Sequence, residues 1–119
     1  MQESLGTQIL IELQGCDLKK LNDIEFIQKT MEEAARKTGS TIISSSFRYF
    51  EPHGISGVVM IAESHLTIHT WPEYGYAAAD IFTCGDQVSP WKAVEFIEKE
   101  LNAKSYSTHE IKRGTHGGE

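Results

Sequence analysis

Residue types suited to catalysis are concentrated in a short central segment of the chain. A serine, two histidines, a glutamate and a cysteine lie within 22 residues, at Glu63, Ser64, His65, His69 and Cys84. Serine and cysteine can act as nucleophiles, and histidine can act as a general base or as a metal ligand. The segment is therefore compatible with more than one chemistry, and the spacing of these residues separates the alternatives.

A metal site is disfavoured by the spacing of the two histidines. His65 and His69 stand four residues apart, which would align two ligands on a helix, but Leu66–Ile68 between them alternates as a strand does. On a strand the two side chains share a face about 13 Å apart, at ~3.3 Å per residue, too far for one ion. No cysteine or carboxylate completes a recognisable ligand set, so we expect no metal.

A serine or cysteine hydrolase is also disfavoured. Such an enzyme needs a nucleophile, a base and an orienting acid that the fold brings together from distant parts of the chain. The sequence contains no Gly-x-Ser-x-Gly motif that would present a serine on a sharp strand-to-helix turn.

A longer motif around Ser64 resembles a known family. The segment Glu63-Ser64-His65-Leu66-Thr67-Ile68-His69-Thr70-Trp71-Pro72-Glu73 is similar to the self-cleavage segment of prokaryotic S-adenosylmethionine decarboxylase proenzymes. Further motifs match in order and spacing over about residues 5–101: Leu5-Gly6, Glu12-Leu13-x-Gly15-Cys16, Pro52-x-Gly54-x-Ser56-Gly57, Gly75-Tyr76-Ala77 and Phe82-Thr83-Cys84-Gly85.

The resemblance implies an enzyme that makes a covalently bound pyruvoyl group from its own Ser64. Ser64 Oγ would attack the carbonyl carbon of Glu63, and loss of the Ser64 α-proton would then eliminate the Glu63 carboxylate. Hydrolysis of the resulting dehydroalanine would leave a pyruvoyl group and ammonia, with a β chain of residues 1–63 and an α chain of residues 64–119. The pyruvoyl ketone would form a Schiff base with the substrate amine and accept the electrons released with CO₂.

The resemblance also implies roles in processing and turnover for three side chains. His69 is the expected base in self-cleavage, Ser56 the expected donor to the oxyanion, and Cys84 the expected proton donor in decarboxylation. Alternation along a strand would put Ser64 and His69 on opposite faces. The two could still meet if Ser64 lay in a strained turn before the strand begins.

Substrate-binding residues follow from the same resemblance. Phe50 would stack on adenine, Glu73 would accept the ribose hydroxyls, and Trp71 would help to enclose the sulfonium. Arg48 stands where the family usually carries histidine, in the strand that leads to Phe50. This departure leaves the substrate open.

Three functions remain on these grounds. The leading one is decarboxylation of S-adenosylmethionine to decarboxylated S-adenosylmethionine and CO₂ for spermidine synthesis. A pyruvoyl-dependent arginine or ornithine decarboxylase of the same fold is the alternative among enzymes. A dimer that binds a nucleoside or sulfonium ligand without turnover is the alternative among binding proteins.

Length and charge exclude several other classes. The 119 residues suit one domain, and a net charge of −6, from 11 Lys+Arg and 17 Asp+Glu, disfavours nucleic-acid binding. No apolar run reaches the ~18–20 residues of a membrane span, and the first residues do not resemble a signal peptide. We therefore expect no membrane association and a cytoplasmic protein in which Cys16 and Cys84 stay reduced.

Apolar periodicity predicts the elements that must position these residues. Helices are expected at about 23–38, after the Asn22-Asp23 cap and before Gly39, and at about 90–102, after Ser89-Pro90. Strands are expected near 9–13, 41–50, 58–62, 66–71, 77–83 and 105–111, with a mobile tail over 113–119.

This order predicts an α+β two-layer sandwich, mainly an antiparallel sheet covered on one face by two helices. The uncovered face of such a sheet is expected to pair with a second copy, giving a homodimer of αβ protomers.

Overall fold

A computed structural model describes residues 3–62, 64–84 and 88–116, apart from the side chains of Glu3 and His116. The chain order is β1 (Glu3–Gln14), α1 (Leu18–Leu21), α2 (Ile24–Lys37), β2 (Ile42–Tyr49), β3 (Ile55–Ile61), β4 (Ser64–Trp71), a 3₁₀ turn (Pro72–Tyr74), β5 (Tyr76–Cys84), α3 (Pro90–Glu100) and β6 (Ser105–His116). All six strands join one sheet in the order β2-β3-β4-β5-β1-β6, and every neighbouring pair is antiparallel. The predicted α+β sandwich is confirmed.

The two long helices form where the sequence supplies caps and an apolar stripe. The Asp23 side chain accepts a hydrogen bond from the Phe26 N–H at the start of α2, and the Thr38 hydroxyl donates to the Ala35 carbonyl at its end. Pro90 occupies the first turn of α3, where its missing N–H costs nothing. Both helices turn their apolar residues to the sheet, among them Ile27 and Met31 of α2 and Val94 and Ile97 of α3.

Strand alternation divides the sheet into a covered and an open face. On the covered face, side chains such as Ile9, Ile68 and Ile81 are fully buried beneath the helices. The opposite face, called the open face below, carries the intervening residues of each strand. Val58 and Met60 lie there, with Met60 51% exposed. The sheet therefore leaves apolar surface uncovered on one side within this chain.

The end of the chain differs from its prediction. Residues 113–116, expected to begin a mobile tail, continue β6, because β1 offers a long free edge to which they pair as far as Glu3 and His116. Residues 117–119 lie outside the described residues. The short helix α1, which the sequence analysis did not predict, begins at an Asp17 cap whose carboxylate accepts the N–H groups of Lys19 and Lys20.

Across the three described ranges, no helix is both long and apolar enough to cross a membrane.

Candidate active site

Ser64 opens strand β4 directly after a tight hairpin connection. It pairs with Ile61 of β3, and His65 pairs with Met60, so two residues separate the paired strands. The predicted cleavage-site residue Glu63 is one of these and lies outside the described residues. Ser64 is half-buried and lines a surface cavity of about 350 Å³ with Met60, His65 and Phe82 among others. Ser64 is thus the first residue of the strand and does not lie in a turn before it, so the condition under which it could meet His69 of its own chain is not fulfilled.

Ser56 and His69 form a hydrogen-bonded pair at the other end of the β3–β4 hairpin. The two residues are direct partners in the register, and Ser56 Oγ lies 2.8 Å from His69 Nδ1. The His69 ring also packs beside Trp71, with ring centroids 6.4 Å apart. A hydroxyl that is hydrogen-bonded to an imidazole can exchange a proton with it. Such an exchange is needed if Ser56 is a proton donor and His69 a base in the same reaction.

A second cavity, of about 340 Å³, surrounds this pair. It gathers five of the predicted site residues, Phe50, Ser56, His69, Trp71 and Glu73. Phe50 follows β2 and is 47% exposed, so its ring is available for stacking. Glu73 reaches the cavity from the 3₁₀ turn that ends β4. The substrate-binding and processing residues expected from sequence are therefore neighbours here.

His53 also lines this cavity, and the sequence analysis did not single it out. Its Nε2 lies 3.0 Å from Glu73 Oε1. Arg48, the departure from the family pattern, stands opposite Ser56 in the strand register, and its Cζ lies 5.8 Å from the centroid of the Phe50 ring. The sequence signal for His53 was its place beside Gly54 in a predicted turn. That signal does not reveal the contact with Glu73, which lies twenty residues further along the chain.

Ser64 is not brought to the Ser56–His69 pair within one chain. Ser64 and His69 are five residues apart on β4, about 16 Å at ~3.3 Å per residue, and an odd separation places them on opposite faces. Ser64 shares the covered face with Leu66, whereas His69 and Ser56 share the open face. The site therefore has two parts, a Ser64 end and a His69 end, at opposite ends of β4.

Cys84 belongs to the Ser64 end. It is the last residue of β5, where it pairs with Gly6 of β1 and is half-buried. Phe82 pairs with His65, the second residue of β4. Cys84 is two residues further along β5, on the same face as Phe82, and therefore lies just beyond the start of β4. The register thus places the expected proton donor at the same end of the sheet as Ser64, and at the opposite end from the cavity that holds Phe50 and Glu73.

Comparison with known proteins decides the family. The sequence matches the S-adenosylmethionine decarboxylase family over residues 7–114. The chain belongs to this family.

Named relatives and a solved structure agree with this assignment. An S-adenosylmethionine decarboxylase proenzyme of Thermosipho melanesiensis is 54% identical over 112 residues, which are 94% of this chain and 86% of the relative. One from Clostridium tetani is 53% identical over 111 residues, 93% of this chain and 88% of the relative. The crystal structure of the adenosylmethionine decarboxylase from Aquifex aeolicus VF5 superposes with a TM-score of 0.90 at 39% identity, covering 98% of this chain and 97% of that one.

Between its two ends, this S-adenosylmethionine decarboxylase family member carries a polar network on the open face. The Asp80 carboxylate accepts hydrogen bonds from Gln8 Nε2, at 2.5 Å, and from the Thr67 hydroxyl. His65 Nε2 lies 3.6 Å from Asp80 Oδ2, and its ring stacks on Phe82 with centroids 5.7 Å apart. The network fixes the residue that follows Ser64. Within the described ranges no group of three or more His, Cys, Asp or Glu side chains could hold a metal ion.

Two other groups near the site have shifted pKa values. Tyr76 donates a 2.5 Å hydrogen bond to Glu12, and this bond, with burial and the negative charge of Glu12, raises the pKa of Tyr76 to about 12. Burial raises the pKa of the Cys16 thiol to about 11. Both side chains therefore stay neutral at physiological pH. The Tyr76 ring packs on Trp71, with centroids 5.3 Å apart, and helps to hold the wall of the His69 end.

Proposed function

We propose that this chain is a proenzyme that cleaves itself between Glu63 and Ser64 and then decarboxylates S-adenosylmethionine. The products are decarboxylated S-adenosylmethionine, the aminopropyl donor for spermidine synthesis, and CO₂. The observation that carries this proposal is the 340 Å³ cavity, which is lined by an aromatic ring, a carboxylate and a Ser–His pair. Family membership supplies the reaction class.

Ser64 is the residue proposed to become the pyruvoyl group. Its Oγ attacks the Glu63 carbonyl carbon, the chain is transferred from nitrogen to oxygen, and removal of the Ser64 α-proton releases the Glu63 carboxylate. The location suits this product, because Ser64 is held at a strand start beside the apolar walls of Met60 and Phe82. Once formed, the pyruvoyl group supplies an electrophilic carbonyl that accepts the electrons released with CO₂, so the reaction needs no metal ion.

A second copy of the chain is proposed to complete each site. His69 cannot reach Ser64 of its own chain, whereas an interface with two-fold symmetry brings the Ser64 end of one subunit to the His69 end of the other. The open face offers a surface for this contact, because the cavity that Ser64 lines is bounded by the open-face residues Met60, His65 and Phe82. Val58, Met60 and Ile111 on this face are at least one-third exposed. The resulting homodimer of αβ protomers has two composite sites.

Each side chain then has a role within a composite site. His69 takes the proton during self-cleavage, Ser56 donates to the oxyanion, and Cys84 of the other subunit returns a proton to the substrate carbon after CO₂ leaves. A thiol suits the last step, since it is protonated at neutral pH and gives up its proton readily.

The substrate is proposed to bind mainly at the His69 end. The Phe50 ring stacks on adenine, Glu73 accepts the ribose hydroxyls, and Trp71 faces the sulfonium. We place the protein in the cytoplasm, where a reducing environment keeps the Cys84 thiol available.

Intact mass and CO₂ release test the proposal together. The purified protein is expected to give two masses that correspond to residues 1–63 and to 64–119 with a pyruvoyl N-terminus, and Ser64→Ala is expected to give one. CO₂ should be released from labelled S-adenosylmethionine and not from arginine or ornithine. An uncut wild-type chain after long incubation, or release from arginine alone, would contradict the proposal.

A further inference from the structure

We propose that His53 is a positioning residue that orients Glu73 to bind the ribose hydroxyls of the substrate. This inference rests on the proposed function, in which Glu73 contacts the ribose. His53 would contribute to specificity for a ribonucleoside by acting through Glu73, without contact with the reacting atoms.

The first support is the contact itself. His53 Nε2 lies 3.0 Å from Glu73 Oε1, within ion-pair distance, and both side chains line the 340 Å³ cavity. Both are a little over one-third exposed, so neither is fixed by burial alone. An imidazole held against Oε1 limits the rotation of the carboxylate and leaves Oε2 to accept from a diol.

The second support is the rigidity of the turn that carries His53. The Phe50 N–H donates to the Gly54 carbonyl at 2.8 Å, and the Gly54 N–H donates to Asn22 Oδ1 at 2.9 Å. Gly54 has φ +114°, and a Cβ there would meet the Thr70 carbonyl oxygen at 3.3 Å, so the turn requires glycine. One fixed turn thus presents both the ring proposed to stack on adenine and the imidazole that holds Glu73.

The third support is the lack of a competing partner. Within the described parts of the chain, His53 is the one side chain that forms an ion pair or hydrogen bond with Glu73. Glu73 sits on a single 3₁₀ turn after Pro72, where a long carboxylate side chain has several rotamers in water. Removing the imidazole is therefore expected to reduce the population of the orientation that binds the diol.

The test compares His53→Ala with His53→Gln, which keeps an N–H donor near the position of Nε2. We expect His53→Ala to raise KM for S-adenosylmethionine about fivefold to tenfold, as loss of one partly exposed polar contact of ordinary net strength does. We expect kcat and the extent of self-cleavage to stay at the wild-type level, and His53→Gln to recover most of the KM. Glu51→Ala is the matched control, since Glu51 is an exposed neighbour in the same turn.

Ligand binding separates this inference from the proposed function. Calorimetry would measure the binding of 5′-methylthioadenosine, which lacks the α-amine and the carboxylate of the substrate, against that of its 2′,3′-dideoxy counterpart. We expect wild type to prefer the ribonucleoside, His53→Ala to lose most of that preference, and a Glu73→Gln background to abolish the effect of His53→Ala.

Two outcomes would overturn the inference in different ways. If wild type binds both nucleosides equally, the ribose role of Glu73 in the proposed function fails and the His53 inference falls with it. If wild type discriminates and His53→Ala discriminates equally well, the proposed function stands and the His53 inference alone is wrong.

Discussion

Ser64 and His69 lie on the same strand, five residues apart and on opposite faces of the sheet. Two groups proposed to act on one peptide bond are therefore separated within each chain. His69 is instead hydrogen-bonded to Ser56 on the open face, with 2.8 Å between Ser56 Oγ and His69 Nδ1. The separation makes the second copy of the chain a chemical requirement of the proposed reaction.

Self-cleavage is expected to be restored between two inactive variants. Ser64→Ala keeps His69 but has no nucleophile, and His69→Ala keeps Ser64 but has no base, so neither should cleave alone. When the two are coexpressed, about half of the His69→Ala chains should enter mixed dimers and be cleaved there. Mass spectrometry of the differently tagged chains measures this.

The control replaces the Ser64→Ala partner with a chain that carries both substitutions, which should restore nothing. Mixed dimers that form, yet leave the His69→Ala chain intact, would show that the base acts within its own chain.

Cys84→Ala is expected to separate processing from turnover. Its proposed role follows CO₂ loss, so cleavage into two chains should proceed while CO₂ release falls by about 10²- to 10⁴-fold, as for other general acids. Cys84→Ser keeps a weaker proton donor, so its rate of CO₂ release should lie between those of wild type and Cys84→Ala. A turnover rate equal to wild type in Cys84→Ala would remove this residue from the mechanism.

The two cysteines are expected to differ in reactivity towards iodoacetamide. Burial raises the pKa of Cys16 to about 11, so at pH 8 only about 0.1% of this thiol is ionised, whereas Cys84 is half-buried. Mass spectrometry of the native protein should show the label on Cys84, and both cysteines should be labelled in urea. Equal labelling of the native protein would contradict the burial of Cys16.

The same shift has a consequence for stability. The pKa of Cys16 is higher in the folded state than in the unfolded chain. The contribution of this buried thiol to the free energy of unfolding is therefore intact below pH 9 and is lost as the pH rises towards about 11. Urea denaturation across this range should show the decline, and Cys16→Ala should make it shallower.

Gly57→Ala is expected to lower the free energy of unfolding by about 1–3 kcal/mol. A Cβ at this position would lie 2.0 Å from Cδ2 of Phe47, because the Phe47 ring packs directly over the glycine from the neighbouring strand. Urea denaturation measures the loss. Combining it with Phe47→Leu, which shortens the obstructing side chain, should give less than the sum of the two effects.

The parts of the fold that were predictable depend on local pattern. The Asp23 cap, the Ser89-Pro90 start and the strand alternation have their causes within a few residues, and the structure places these elements as expected. The extension of β6 to His116 was missed because its pairing partner, the start of β1, lies more than one hundred residues away in sequence.

The site shows the same division. The motif around Ser64 identified the family, and alternation along β4 already indicated that Ser64 and His69 face opposite ways. The Glu73–His53 contact depends on how a turn folds against the end of a hairpin, which no local pattern encodes. The arrangement of two chains depends on surface shape, so it could not be read from one sequence.

The strand order has a consequence for the protein after its proposed cleavage. Strands β1, β2 and β3 would belong to one fragment and β4, β5 and β6 to the other, yet β1 lies between β5 and β6, and β3 pairs with β4. The two fragments are interdigitated in a single hydrogen-bonded sheet. The proposed cleavage before Ser64 would therefore leave both fragments held in one sheet, and we expect the cleaved protein to keep the fold of the uncut chain.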